Sequence, residues 1–69
     1  MEEQEIKKRF THHAPKGNQP SRYEITRHEA GRLAEILSAN CPESRELSLA
    51  MTNLEQAIFW ANAAIARNE

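Results

Sequence analysis

A single cysteine, Cys41, stands in this chain of 69 residues, so no internal disulfide can staple the fold. No apolar run approaches the ~20 residues that a membrane span needs. The opening Met1-Glu-Glu-Gln-Glu also lacks the basic and apolar stretches of a signal peptide. These two absences predict a cytosolic protein with no membrane partner. Charge of one sign is missing as well: nine Lys plus Arg against ten Asp plus Glu leave a net charge of -1. That removes the global field of a sequence-independent DNA or RNA binder, so duplex nucleic acid is not an expected partner and any anion site must be local. Internal repeats and low-complexity stretches are absent too.

A chain this short buries too little surface for one hydrophobic core to suffice, and the usual supplements are disulfides, a metal or a partner subunit. Metal-ligand spacing is lacking. His12 and His13 are adjacent in an irregular stretch, His28 falls on a solvated helix face, and Cys41 fits neither CxxC nor HxxxH spacing. No cofactor is called for either. Self-association is the remaining supplement.

The apolar residues are concentrated in the second half. Residues 1–9 are charged apart from Met1, Gln4 and Ile6, which reads as a tail or a short frayed helix. Phe10-Thr-His-His-Ala-Pro-Lys-Gly-Asn-Gln-Pro20 shows no periodicity and holds two prolines and a glycine, so an extended arm is expected over 10–20. Ser21 with Glu24 three residues on fits a capping box, which predicts a first helix over about 21–37. At roughly 100° per residue its Tyr23, Ala30, Leu33, Ala34 and Leu37 share one arc, and Glu24, His28, Arg32 and Glu35 oppose them. Arg27 lies at the edge of the apolar arc.

Pro42 suits the first position of a second helix, with Glu43 and Glu46 at its positive end, and periodicity carries that helix to about 66. Its stripe is Leu47, Ala50, Met51, Leu54, Ala57, Ile58, Ala61, Ala64 and Ile65. Leu49, Phe59, Trp60 and Ala63 lie off that stripe, leaving a polar wedge of Ser48, Glu55 and Asn62. A helix apolar on nearly every side is buried on nearly every side. One partner helix cannot cover it, so further chains must. The expected fold is all-α: an antiparallel two-helix hairpin over residues 10–69 with an extended N-terminal arm and a charged tail at 1–9, assembled into a homo-oligomer.

Nucleophilic catalysis would need Cys41 as a thiolate beside a base in a sheltered cleft, and a hairpin of this size offers little cleft, while no general-acid pair stands out. The protein reads as a binder, not an enzyme. Phe10, Thr11, His12, His13, Lys16, Asn18 and Gln19 supply stacking faces, hydroxyl and amide groups, and a cation, the ingredients of nucleotide recognition without a duplex. The same composition also fits an arm that merely packs Phe10 and Pro15 over the hairpin. Arg27 and Arg67 suit bidentate phosphate contacts near an interface. Their alternatives are structural: Arg67 on the carbonyl end of its own helix, Arg27 snorkelling to water. Tyr23, next to the arm, is a secondary ligand candidate, Trp60 is assigned to assembly, and Lys7, Lys8 and Arg9 read as a solvated run.

The arm Phe10–Pro20, Arg22-Tyr23-Glu24, Cys41-Pro-Glu-Ser-Arg45, Ser48-Leu-Ala50 and Trp60-Ala-Asn-Ala-Ala-Ile-Ala-Arg67 together resemble small phage proteins with the hairpin domain shared by anti-CBASS and anti-Thoeris sponges. The likeness covers about residues 9–68. It implies a compact hexamer that captures cyclic di- and trinucleotides, or a cyclic ADP-ribose isomer, in the bacterial cytoplasm during infection. The signal would be held intact, and immune effectors would stay inactive. Carried over by position, the arm aromatic that stacks on a dinucleotide base is His12, where relatives carry tyrosine, and the basic residue early in helix one is Arg27. Arg67 is the candidate for a separate trinucleotide-type site. An imidazole offers less stacking area than a phenol, so affinity or ligand preference would differ. A phage-derived structural or protein-interaction module with no nucleotide ligand is the rival, and an enzyme that modifies the nucleotide a second.

Overall fold

A computed structural model describes residues 1–69 as three helices without a strand: α1, Glu3–Phe10; α2, Gln19–Asn40; α3, Arg45–Asn68. The charged N-terminus is thus a helix that takes in Phe10, and the arm shortens to residues 11–18. Helix α1 has acids in its first turn and bases in its last, complementing the macrodipole. Glu5 pairs with Arg9 at 2.9 Å and Glu3 with Lys7 at 3.9 Å, both at i,i+4 spacing. Eight residues are too few to hold a helix in water alone. Two tethers assist: Arg67 Nη2 donates to the Arg9 carbonyl at 3.4 Å, and His13 Nε2 bonds the Lys8 carbonyl at 2.8 Å.

The start of α2 corrects the capping-box expectation. The helix begins at Gln19 with Asn18 in the cap position and Pro20 in its first turn, where a proline's fixed φ is already helical. Ser21 is inside the helix, its Oγ donating to the Asn18 carbonyl at 3.0 Å. Gly17, at φ +56, turns the chain into this start. At the other end, α2 absorbs the Ser38-Ala39-Asn40 stretch expected to be a connector. Asn40 Nδ2 donates to the Ile36 carbonyl at 2.7 Å, and the Cys41 N–H closes onto Leu37.

The second start is also displaced. Pro42 and Glu43 lie ahead of α3, and Ser44 is its N-cap, Oγ accepting from the Leu47 N–H at 3.1 Å. A serine oxygen satisfies an orphan amide that nothing at Cys41 could. The helix runs to Asn68, two residues past the expected end.

Helices α2 and α3 pack as the expected antiparallel hairpin. Tyr23, Ala30, Ala34 and Leu37 face Leu47, Ala50, Met51, Leu54, Ile58, Ala61 and Ile65, all half-buried. Ala57 and Ala64, assigned to that stripe, are exposed. Helix α2 is less cleanly amphipathic than its arc implied, because Ile25 and Ile36 stand outside it, 62% and 53% exposed. No apolar side chain is fully buried in the single chain, and the one buried residue is Gln19. The radius of gyration, 15.3 Å, exceeds the roughly 11 Å of a compact chain of this length. The least dimension, 12 Å, falls short of the ~13 Å that two stacked helical layers require. The hairpin is one layer, and a core needs two. No helix is long and apolar enough to cross a membrane.

Candidate functional site

The open end of the hairpin, where the arm meets the start of α2 and the end of α3, carries most of the polar chemistry. A clamp forms its base. Arg22 and Glu69 make a two-pronged ion pair, with Nη1 to Oε2 at 2.9 Å. Gln19 Nε2 adds a bond to Glu69 Oε1 at 3.3 Å, while Gln19 Oε1 accepts from the Lys16 N–H at 3.1 Å. The chain of bonds runs from the arm's turn through buried Gln19 to Glu69, the residue that caps the end of α3. By its place in the arm Gln19 is expected to contact ligand or to fix the arm; its burial and partners give it the arm-fixing task in the single chain.

The Arg22 guanidinium, helped by the Gln19 amide, holds the Glu69 carboxyl below its usual value of 4.5, and Glu69 in turn raises the Arg22 value. A depressed carboxylate contributes stability that is complete above its unfolded value and is lost as pH falls through its folded one. Thermal melts should therefore show a clamp-dependent fall in Tm only below about pH 4.5, and Glu69→Gln should remove that part of the fall. Arg9 holds Glu5 low in the same way, so Glu5→Gln is the matched control. An acid response identical in wild type and Glu69→Gln would discard the clamp.

Beside the clamp, α2 and α3 open a cleft of about 430 Å³ lined by His13, Pro15, Pro20, Tyr23, Arg27, Asn62 and Ala66. The helical repeat explains the set: Tyr23 and Arg27 are one turn apart on α2, Asn62 and Ala66 one turn apart on α3. The volume lies within the range of small-molecule sites. Tyr23 and His13 give it ring faces, and Arg27 gives it a fork of donors. Among the arm residues named from sequence, His13 lines this cleft. His12 and Thr11 are exposed on the arm and line neither this cleft nor the next. Lys16 is exposed nearby, its backbone engaged with Gln19.

A second cleft, about 540 Å³, separates α1 from the last turns of α3 and is lined by Glu5, Lys8, Arg9, Phe10, Trp60, Ala63, Ala64, Arg67 and Asn68. Phe10 and Trp60 are 82% and 65% exposed. Arg67 reaches the last turn of α1 and not its own helix end. Lys8, read from sequence as part of a solvated run, is half-buried here. Nothing local in the sequence marked it, because its place depends on α1 folding back on α3. Trp60 likewise belongs to a cleft as well as to the outer face.

The cations separate into two groups. Lys7, Arg9, Arg22 and Arg32 each pair with a carboxylate. Lys8, Lys16, Arg27, Arg45 and Arg67 make no such pair, and three of these line the two clefts: Arg27 in one, Lys8 and Arg67 in the other, where Glu5 shares the lining and feels both charges. Arg27, a cation in a cleft without a carboxylate and beside aromatic faces, is arranged to receive an anion with a flat apolar part. No group of three or more His, Cys, Asp or Glu side chains is placed to hold a metal ion.

The model of the family described as Acb2/Tad1, hairpin domain, matches residues 1–66. No curated protein and no solved structure matches the chain.

Proposed function

The chain belongs to the Acb2/Tad1 hairpin-domain family, the anti-CBASS/anti-Thoeris sponges, and from that premise we propose that it sequesters cyclic oligonucleotide signals in the bacterial cytoplasm, as a homo-oligomer and without turnover. The observation that carries this reading is the unpaired Arg27 in a cleft with Tyr23 and His13. Bases stack on the rings and a phosphate meets the guanidinium. The exposed His12 and Thr11 are then supplied across a subunit boundary to the cleft of a neighbouring copy, with Lys16 near the phosphate and Gln19 fixing the arm. A cyclic dinucleotide has two bases and two phosphates, so a two-fold interface offers each half the same groups.

The second cleft, with Lys8, Arg67, Phe10 and Trp60, is the place for a larger cyclic trinucleotide. A hexamer follows from family likeness. Oligomerisation also follows from the physics: one layer with no buried apolar residue needs a second layer.

Isothermal titration of the purified protein against cyclic di- and trinucleotides and cyclic ADP-ribose isomers tests the reading. Binding of at least one, with the ligand recovered unchanged after heat release, is expected. A converted ligand would make the protein an enzyme. Silence across the panel at micromolar protein would leave a protein-interaction module.

A further inference from the structure

Asn62 Oδ1 is sealed from solvent and accepts no hydrogen bond. Buried polar atoms in folded chains nearly always have a partner, and an exception calls for a reason. Asn62 lines the same cleft as Tyr23 and Arg27, on the turn of α3 that faces them. No donor of the single chain reaches it: His13 is engaged through Nε2 with the Lys8 carbonyl, and neither Tyr23 nor Arg27, which share the cleft, bonds Asn62. In the sequence Asn62 is one of three polar residues in a wedge at seven-residue spacing; Ser48 and Glu55, the other two, are exposed.

Resting on the function proposed above, we propose that Asn62 is the base-selecting residue of this cleft and favours a purine carrying a 6-amino group over one carrying a 6-oxo group. A turn about the side-chain bond, which breaks no hydrogen bond because Oδ1 has none, brings the carboxamide into the cleft, where it offers an acceptor, Oδ1, beside a donor, Nδ2. Adenine presents the complementary pair along one edge, an N6 amine that donates and an N7 that accepts. A 6-oxo purine presents two acceptors there, so Oδ1 stays without a donor and faces an oxygen. Arg27 supplies charge recognition common to all phosphodiester ligands, and Asn62 supplies the discrimination among bases.

The test compares cyclic di-AMP with cyclic di-IMP, which share the same ring and phosphates and differ in the 6-substituent. Wild type should bind the amino ligand about tenfold or more tightly, the discrimination expected of a matched carboxamide–adenine pair. Asn62→Leu, which replaces an unpartnered acceptor by an apolar group of similar size and so should keep the fold, should bind the two ligands within about threefold of each other. Asn62→Asp, which keeps the acceptor and loses the donor, provides a second variant and should show a preference between these extremes. Equal binding of both ligands by wild type overturns the assignment while leaving the sponge reading intact, as does a tenfold preference that survives in Asn62→Leu. Failure of wild type to bind either ligand overturns the reading of the cleft, and the assignment with it.

Discussion

Replacing Arg27 by alanine is expected to cost roughly 10²-fold or more in affinity for a cyclic dinucleotide. A hydrogen bond to a charged group contributes about 1.5–3 kcal/mol, and a two-fold site uses the residue twice. The structure makes this substitution clean. Arg27 is exposed, has no carboxylate partner and holds no other element in place, so its loss should leave the melting temperature within about a degree or two, as for surface changes generally. Titration beside a thermal melt separates the two effects. Arg27→Lys keeps the charge but gives up the planar fork, and should recover only part of the affinity. A protein-interaction module would lose nothing with Arg27→Ala, and that outcome would sink the nucleotide reading.

Arg22, five residues earlier, is the instructive contrast. Both arginines stand early in α2, and sequence periodicity alone separated them only by noting that Arg27 borders the apolar arc. Their difference is tertiary: Glu69 is 47 positions away from Arg22 and neutralises it, whereas no carboxylate reaches Arg27. A pairing of that span leaves no local pattern to read.

The same division explains the fold. The hairpin was legible because period-3.6 stripes and a short connector are local facts. The helix starts were misplaced by two or three residues because two signals competed at each. At Ser21 a capping-box pattern lost to Pro20, whose fixed φ fits the first turn. At Pro42 a favourable first-turn proline lost to Ser44, whose hydroxyl caps the Leu47 amide. Helix α1 was half-read, as its i,i+4 pairs were visible but its tethers to Arg67 and His13 were not. The clefts depend on those tethers, and so the place of Lys8, and that it is His13 and not the neighbouring His12 that lines a cleft, emerged only with the structure.

Trp60→Glu is expected to reduce the protein to a monomer and lower its melting temperature. Phe59 and Trp60 are 61% and 65% exposed in the single chain, with Leu49 at 45% on the same helix. Burying a large apolar side chain contributes about 2 kcal/mol, and an isologous contact counts it once from each copy. About 4 kcal/mol is then lost per interface, roughly a 10³-fold fall in association constant. A buried unpaired carboxylate makes the loss larger. Sedimentation velocity at micromolar concentration should show a multimer for wild type and a monomer for Trp60→Glu. Phe59→Glu should behave alike while leaving the α1–α3 cleft intact, because Phe59 does not line it, and Glu35→Lys on the charged face of α2 should change neither mass nor melting. If His12 reaches its ligand from a neighbouring copy, the monomeric variants should also lose cyclic dinucleotide binding although Tyr23, Arg27 and Asn62 are untouched. Retention of full affinity by a monomer would confine the site to one chain and leave His12 without a part in it.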